Sequence, residues 1–388
     1  MNYNKLKKYV WCLVAVLAVL VLVTGILVQF KPVANTQTVV QTEQTSLKIE
    51  NDEAVPNRKA PLFLQVFNRQ SAVMQMTPRA VSDAKIGEIF EKNMPDRAGA
   101  VVVLNPNTGE ILNAYSHTSG SRNIAFSGNY ASGSTMKVLW AAVSVEEDRE
   151  LKDFENPGVY AGIPNAGDVP NLVNLKDALK YSVNTYFACL ADTKLTDALM
   201  HEYAKKFYMG KPLLVEGTDT IITSQFGGGR PALGIGQGAL AISPLHMAMV
   251  CATIANDGVL MMPFMKSEGR LESPVQDFYR QKAVRVFSPE TAERVTEGMI
   301  AVVNEEEGTG VKAKIDGVTV AGKTGTAQNE TMGRSNLDHT WFISFAPAEN
   351  PQIALAVLVE YSGMSGGDAA APIAKDVIKY YLDLEDTQ

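Results

Sequence analysis

The first apolar segment of the chain runs from Tyr9 to Val28 and contains no charged residue. About twenty helical residues, each rising about 1.5 Å, span roughly 30 Å, which is the thickness of a bilayer core. Three lysines precede this segment, and the positive-inside rule places them in the cytoplasm. The pattern predicts a cytoplasmic tail over residues 1–8 and a single transmembrane anchor over residues 9–30, with the rest of the chain outside the cytoplasmic membrane. A cleaved signal peptide is the alternative, but its apolar core would be shorter.

After the anchor, residues 31–60 are rich in Thr, Gln, Asn and Glu and poor in large apolar residues. This composition cannot bury a core and is typical of a flexible stalk. The next residues, 61–75, are more apolar, and a strand and a small collar both remain open for them. The sequence therefore predicts an extracytoplasmic stalk or small collar over residues 31–76.

Regular patterns begin at residue 77 and continue to the end of the chain. Strand patterns occur near both ends, whereas the middle, residues 134–305, has mainly helical patterns separated by Gly- and Pro-rich loops. This arrangement is typical of an α+β domain with an all-helical subdomain, here over residues 77–388. The predicted elements are a helix over 82–94, strands over 99–104, 110–115, 318–328, 340–345 and 353–360, and a final helix over 370–382.

The composition restricts the classes of function. Of 388 residues, 46% are hydrophobic and 20% charged, as in an ordinary globular core, and the net charge of −7 argues against nucleic acid as a partner. The four histidines are scattered, and no phosphate-binding or dinucleotide motif occurs, so no metal and no cofactor are expected. Cys189 and Cys251 fall in helical apolar patterns and are expected to be buried small side chains rather than a disulfide.

The first candidate for chemistry is Ser134-Thr-Met-Lys137, which opens an apolar helical stretch. Residues three apart share a helix face, about 5–6 Å apart at Cβ, so Lys137 can reach the Oγ of Ser134 and accept its proton if the lysine is neutral. Neutrality requires burial and a second cation nearby, because a free lysine titrates at about 10.4. The motif is weak alone, since Ser82-Asp-Ala-Lys85 has the same spacing; there Ser82 is predicted to be a helix N-cap.

Two further motifs follow along the chain. Ser182-Val-Asn is weak alone, because Ser127-Gly-Asn also matches it and a loop serine beside a capping asparagine explains both. Lys323-Thr-Gly-Thr-Ala-Gln lies on a predicted strand, and its central glycine indicates that another backbone approaches closely. Beside a lysine and two hydroxyls, that backbone could belong to a peptide ending in a carboxylate. A surface strand with a solvated lysine is the alternative.

In this order, the three motifs S-x-x-K, S-x-N and K-T-G resemble those of class A β-lactamases and penicillin-binding proteins. The resemblance covers about residues 75–385 and implies a penicillin-binding, serine β-lactamase-like fold, with an antiparallel sheet, flanking helices and the all-helical subdomain. Further segments that resemble this family are Gly234-Ile-Gly-Gln-Gly with Ser243-Pro, Glu307-Gly-Thr-Gly, Thr340-Trp-Phe-Ile-Ser-Phe-Ala-Pro and Gly366-Gly-Asp-Ala-Ala-Ala-Pro.

The resemblance implies four catalytic side chains. Ser134 would be the nucleophile that attacks the carbonyl between two D-alanines, and Lys137 would be the general base of acylation. Ser182 would pass a proton to the leaving amine, with Lys323 lowering the proton affinity nearby. The acceptor would be an amine of a neighbouring peptidoglycan stem peptide, and β-lactams would be covalent inhibitors that leave an ester on Ser134.

The same resemblance implies the substrate contacts. Asn184 would bind the substrate backbone and help to position the base, while the hydroxyls of Thr324 and Thr326 would hold the terminal carboxylate beside Gly325. Backbone N–H groups of Ser134 and Thr326 would form the oxyanion hole, in which one donor is worth roughly 3–4 kcal/mol in other acyl-transferases.

Several members of this superfamily fit less well. No glutamate between the second and third motifs opens the E-x-x-L-N segment of class A β-lactamases. The short span between anchor and catalytic domain leaves no room for a glycosyltransferase domain, which favours the monofunctional, class B penicillin-binding proteins. Their N-terminal pedestal domain, with its Arg-Gly-x-Ile-x-Asp-Arg segment, is missing, so a glycan polymerase as partner remains open. A D,D-carboxypeptidase, a β-lactam sensor or hydrolase and a non-catalytic scaffold are the alternative functions.

Overall fold

The computed structural model of the chain describes residues 79–215, 217–218, 220–266, 283–328 and 338–384, with side chains from Ser82 onward. The predicted cytoplasmic tail, transmembrane anchor and stalk or collar lie outside the described residues. Among the residues that are described, no helix has both the length and the apolar character that a membrane span requires.

An antiparallel sheet lies at the centre of the described part of the chain, as the sequence predicts. Its five strands there are β1 (Gly99–Leu104), β2 (Ile111–His117), β3 (Ala321–Ala327), β4 (His339–Ala346) and β5 (Ile353–Val359). Their order is β3-β4-β5-β1-β2, and every neighbouring pair is antiparallel. The pairing of β1 with β5 joins the two ends of the domain, and β3, which carries the K-T-G motif, forms an edge of the sheet.

Helices cover both faces of this sheet. They are α1 (Arg79–Asn93), α2 (Lys137–Glu146), α3 (Leu175–Lys180), α4 (Asn184–Thr193), α5 (Asp197–Lys206), α6 (Arg230–Gly234), α7 (Pro244–Ala255), α8 (Pro289–Asn304) and α9 (Gly366–Tyr381). On one face, Val102 and Leu104 of β1 belong to a core that includes α7, which is buried along its whole length. On the other face, Val101 and Val103 pack in a core with α1 and α9. Because both faces are buried, β1 is a continuous apolar run rather than an alternating one.

The expectation that the middle subdomain is all-helical is wrong. Between the helices lie short antiparallel ribbons of two or three residues per strand. Such strands are too short to show a period of two, and they form where loops rich in Gly, Pro and Asn reverse the chain. The ribbons are Phe154–Glu155 with Leu172–Val173, Val159–Tyr160 with Ile163–Pro164, Leu213–Leu214 with Ile221–Ile222, and Val259–Met261 with Ala283–Arg285.

The predicted N-cap role of Ser82 is also wrong. Helix α1 begins at Arg79, so Ser82 lies inside it. Its buried Oγ shares a hydrogen bond of 2.8 Å with the hydroxyl of Tyr381 and accepts one of 3.1 Å from Asn113 Nδ2. These partners are distant in sequence, so a prediction from the residues next to Ser82 cannot identify them.

Helix α9 begins at Gly366, four residues before the predicted start at residue 370, and its first two residues are glycines. Ser365 caps the helix by accepting a hydrogen bond from the N–H of Asp368 over 3.1 Å. A Cβ on Gly366 would lie 2.5 Å from the carbonyl oxygen of Trp341, so close packing against β4 requires glycine there. Glycine lowers helix propensity, which conceals this end of the helix in the sequence.

Cys189 and Cys251 are free thiols, as expected. Cys251 is buried in α7, whereas Cys189 in α4 is only half-buried, in contrast to the prediction that both are buried. Burial raises the pKa of the Cys251 thiol, because it disfavours the charged thiolate.

Candidate active site

Ser134 lies in a 3-10 turn, Gly133–Met136, that continues directly into α2. The side of α2 that follows is apolar and buried, which fixes the turn in the core. The backbone N–H of Gly133 donates to the carbonyl of Gly236 over 3.0 Å, so the Gly-rich segment before α7 supports the turn. The side chain of Ser134 is half-buried and lines a cleft.

Lys137 is completely buried, and its Nζ is anchored on the second motif. It donates to the carbonyl oxygen of Ser182 over 2.7 Å, to Asn184 Oδ1 over 2.7 Å and to Ser182 Oγ over 3.2 Å. Of the hydrogen bonds between described residues, none joins Lys137 Nζ to Ser134 Oγ. The backbone of Lys137 therefore follows the turn that contains Ser134, while its amine is hydrogen-bonded to Ser182 and Asn184.

Ser182 occupies a tight turn between α3 and α4 with a positive φ of 55°. This left-handed conformation is strained for a serine and turns both its carbonyl and its hydroxyl towards the buried lysines. Lys323 reaches the same hydroxyl from strand β3, with Nζ donating to Ser182 Oγ over 2.9 Å and to the carbonyl of Thr324 over 3.0 Å. Ser182 Oγ is thus shared by the two lysines.

Burial controls the charge of both lysines. It holds the pKa of Lys137 well below its usual range, and the neighbouring Lys323 lowers that pKa further. Burial also lowers the pKa of Lys323, to about 7. The buried environment and the second cation that a neutral Lys137 requires are therefore both present. A neutral amine can still donate to the two acceptors at 2.7 Å, and its lone pair then remains for a hydroxyl proton.

The nucleophile turn and the K-T-G strand touch through glycines. Gly133 has a φ of 52°, and a Cβ there would lie 2.3 Å from the carbonyl oxygen of Thr326. A Cβ on Gly325 would lie 2.9 Å from the carbonyl oxygen of Ser132. Only glycines permit this approach, and Ser134 and Thr326, on the two elements that approach each other, both line the cleft.

A cleft of about 610 Å³ receives these groups. Ser134, Ser182, Asn184, Thr324, Gly325 and Thr326 all line it, so six of the eight residues that the sequence indicates meet there. The remaining two, Lys137 and Lys323, lie buried behind this wall.

Other lining residues received no role from the sequence. Tyr181 precedes the second motif, and its hydroxyl donates to Glu307 over 3.0 Å. Thr309 and Gln237 also line the cleft, as do the glycines that begin α9. Thr309, Gln237 and these glycines lie in segments that resemble the family. A sequence resemblance does not show which residues a side chain contacts, so it gave them no role.

A buried pair of lysines, a serine at the start of a helix and hydroxyls on an edge strand form a serine acyl-transfer site. Lys137 follows Ser134 by three residues and its amine contacts the hydroxyl of Ser182, while the polar edge strand can receive a peptide. The class of protein that fold and site define is therefore a serine enzyme of the penicillin-binding type.

Comparison with known proteins gives the family. Residues 99–379 match the penicillin binding protein transpeptidase domain, and the chain belongs to this family. The peptidoglycan D,D-transpeptidase PbpA of Mycobacterium tuberculosis is 33% identical over 341 residues, which cover 74% of this chain and 67% of that protein. The peptidoglycan D,D-transpeptidase MrdA of Haemophilus influenzae is 29% identical over 351 residues, but only 53% of its length is covered.

Solved structures give the same fold. Penicillin-binding protein A of M. tuberculosis, in a ceftriaxone acyl-enzyme complex, is 31% identical with a TM-score of 0.64, covering 77% of each chain. The same protein in an imipenem acyl-enzyme complex is also 31% identical, with a TM-score of 0.62.

Proposed function

We propose that this chain is a peptidoglycan D,D-transpeptidase that cross-links stem peptides ending in D-Ala-D-Ala through an acyl-enzyme on Ser134 and that β-lactams inhibit covalently. The observation that carries the proposal is the convergence of Lys137 and Lys323 on Ser182 Oγ, 3.2 Å and 2.9 Å away, beside a cleft that Ser134 lines. Relatives named as peptidoglycan D,D-transpeptidases and solved as β-lactam acyl-enzymes support it.

In acylation, the neutral amine of Lys137 takes the proton of Ser134 while Oγ attacks the carbonyl carbon of the penultimate D-alanine. The bond to the terminal D-alanine nitrogen then breaks, and an ester forms on Ser134. Ser182, bonded to both lysines, donates its proton to the leaving nitrogen and recovers one from Lys137. Asn184 holds Lys137 in place throughout by accepting from Nζ, while its own amide donates to Pro164 O over 2.8 Å.

The charged and hydrogen-bonding groups of the cleft support one orientation of the donor peptide. Its terminal carboxylate lies towards Lys323 and the hydroxyls of Thr324 and Thr326, which present a cationic, donor-rich end of the cleft. The carbonyl oxygen that becomes negative faces the N–H groups of Ser134 and Thr326. Deacylation reverses the proton path, with an acceptor amine of a second stem peptide attacking the ester. Attack by water instead gives a carboxypeptidase.

We also propose that residues 9–30 form a single membrane-spanning anchor and that the catalytic domain lies outside the cytoplasmic membrane. The apolar run and the lysines before it support this arrangement. Fractionation of cells that express the full chain should place it with membranes after a high-salt wash, and external protease should digest it in spheroplasts. Release of the chain by high salt would contradict an anchor.

The catalytic proposal is tested by intact mass of the full-length chain in detergent after exposure to benzylpenicillin. A single persistent adduct is expected on the wild type and on Ser127→Ala, which removes the other S-x-N serine. No adduct is expected on Ser134→Ala. Rapid turnover of the drug would instead indicate a β-lactamase. Absence of any adduct on the wild type would indicate a scaffold and overturn the proposal.

The balance between cross-linking and hydrolysis is a separate measurement. Incubation with a D-Ala-D-Ala donor and an amine acceptor should give the cross-linked product by mass spectrometry. Formation of the shortened donor alone would reassign the protein as a D,D-carboxypeptidase.

A further inference from the structure

The turn that follows α8, Glu307–Gly310, touches both walls of the cleft. Its glycines are tightly packed, since the N–H of Gly310 donates to Val302 O over 2.9 Å and a Cβ on Gly308 would lie 2.3 Å from the same oxygen. Gly367 at the start of α9 packs against the carbonyl oxygen of Thr309, where a Cβ would lie only 2.2 Å away. The backbone of Thr309 is therefore fixed from both sides.

Thr309 connects the second motif to the third. Its N–H and its Oγ1 both donate to the carbonyl oxygen of Lys180, over 3.4 Å and 3.3 Å, just before Ser182. On the other side, Thr324 Oγ1 donates to Thr309 Oγ1 over 2.9 Å. Thr309 is exposed in the cleft, whereas Thr324 is only 7% exposed.

The direction of these bonds matters for the donor carboxylate. With its hydrogen on Thr309, Thr324 offers only lone pairs to the cleft, which an anion cannot use. Thr324 must therefore turn its hydrogen to the carboxylate, and its oxygen then needs a new donor. Thr309 can supply one, because the carbonyl of Lys180 keeps the N–H of Thr309 when the hydroxyl turns away.

We propose that Thr309 is a positioning residue of the donor-carboxylate site, whose hydroxyl reverses to donate to Thr324 while Thr324 donates to the carboxylate. The inference rests on the proposed function. In the reversed chain each hydrogen bond polarises the next, so Thr309 strengthens the contact of Thr324 with the anion without touching it. Without the Thr309 hydroxyl, the nearly buried oxygen of Thr324 has no donor from Thr309 when Thr324 donates to the carboxylate.

The test measures the second-order rate constant for acylation of the full-length chain by benzylpenicillin, which carries a carboxylate. Thr309→Val removes the hydroxyl and keeps the shape, and a loss of about tenfold is expected, the size of one hydrogen bond. Thr309→Ser keeps the hydroxyl and should restore most of the rate. Thr193→Val is the matched control, since Thr193 Oγ1 donates to a carbonyl of its own helix over 2.7 Å, and it should leave the rate unchanged.

A double-mutant cycle separates positioning from general damage. If Thr309 acts through Thr324, Thr309→Val should cost little in a Thr324→Val background. Full additivity of the two losses, or a wild-type rate for Thr309→Val, would overturn the inference while the adduct on Ser134 leaves the proposed function intact. Failure of the wild type to form an adduct would count against the proposed function itself.

Discussion

At the scale of single residues, the site is governed by two buried amines that share one hydroxyl. Their hydrogen-bond partners in the described part of the chain are carbonyl, amide and hydroxyl oxygens. Burial lowers the pKa of each lysine, and Lys323 lowers that of Lys137 further. The sequence motifs contain the lysines, but the lowering of their pKa comes from burial in the folded chain.

Replacement of Lys137 tests its role as a base. Lys137→Arg introduces a permanent cation that cannot accept a proton near neutral pH, and Lys137→Met removes the nitrogen. Both should lower the rate of Ser134 acylation by about 10²–10⁴-fold, the range of general base catalysis. The rate is measured by benzylpenicillin adduct formation, with the exposed Lys152→Met as control. Substantial activity in Lys137→Arg would show that charge, not proton transfer, is the contribution of this residue.

The pH dependence of acylation should be bell-shaped. As pH rises, more of Lys137 is in the neutral, basic form, so the acylation rate increases. Above about pH 7, Lys323 loses the charge that attracts the donor carboxylate, so the acylation rate falls. Because the two lysines interact, the apparent pKa values of the rising and falling limbs describe the pair and not either lysine alone. Lys323→Arg stays cationic and should remove the alkaline limb. An unchanged alkaline limb in that variant would contradict the assignment.

At the scale of elements, glycines set the distance between the nucleophile turn and strand β3. Gly133 lies against the carbonyl of Thr326, and Gly236 lies against the carbonyl of Gly133, where a Cβ would be only 1.9 Å away. The turn is therefore enclosed by backbone on two sides, and a shift in either element would change the distance between Ser134 and Thr326.

Gly133→Ala should separate these elements. The new Cβ meets a backbone oxygen at 2.3 Å and requires a positive φ, so we expect a rate loss of about 10²–10³-fold, as for a lost oxyanion donor, and roughly 1–3 kcal/mol of stability. Gly317→Ala is the matched control, because Gly317 has a φ of 78° with no atom near its Cβ position. It should cost only about 1 kcal/mol and leave acylation intact. Equal effects of the two substitutions would disprove the close-approach argument.

At the scale of the whole molecule, a buried carboxylate joins the loop before the nucleophile to the end of the sheet. Glu360, directly after β5, receives two hydrogen bonds of 2.9 Å from Arg122 and one of 2.6 Å from the hydroxyl of Tyr130. Although burial opposes its ionisation, these donors lower the pKa of Glu360 below its usual value. Tyr130 lies three residues before the 3-10 turn that contains Ser134, Gly133–Met136.

Arg122→Ala should therefore destabilise the fold in a pH-dependent way. We expect a loss of roughly 1–3 kcal/mol at neutral pH, less than for a fully buried pair because Arg122 is half exposed. A depressed pKa contributes stability above the unfolded value of about 4.3 that disappears as pH falls through the folded value. The difference from wild type in urea unfolding should thus shrink in acid. Lys85→Ala, which breaks an exposed pair with Glu88, should change stability by less than about 0.5 kcal/mol at either pH.

The site residues could be indicated from the sequence because three motifs that are weak or ambiguous singly become specific to one family when they occur in this order. The strands β1, β2, β4 and β5 were predicted to within two residues, since their apolar runs are long enough to leave a clear pattern. Strand β3 begins at Ala321 rather than residue 318, because Val318 closes a turn on Ile315. The short ribbons, the glycine-rich start of α9 and the buried partners of Ser82 were not predicted, since none leaves a local periodic signal.

The sequence by itself determined the α+β class through its hydrophobic periodicity and the family through the order of its motifs, and the resemblance to that family indicated eight candidate site residues. Spacing alone could not distinguish Ser134 from Ser82, or Ser182 from Ser127; the order of the three motifs selected Ser134 and Ser182. The tertiary structure places both of these serines on the cleft, whereas Ser82 is buried against Tyr381. Strand pairing and helix packing bring three distant segments to one cleft, where burial lowers the pKa of both lysines. Those effects depend on distance and desolvation, which exist only in the folded chain.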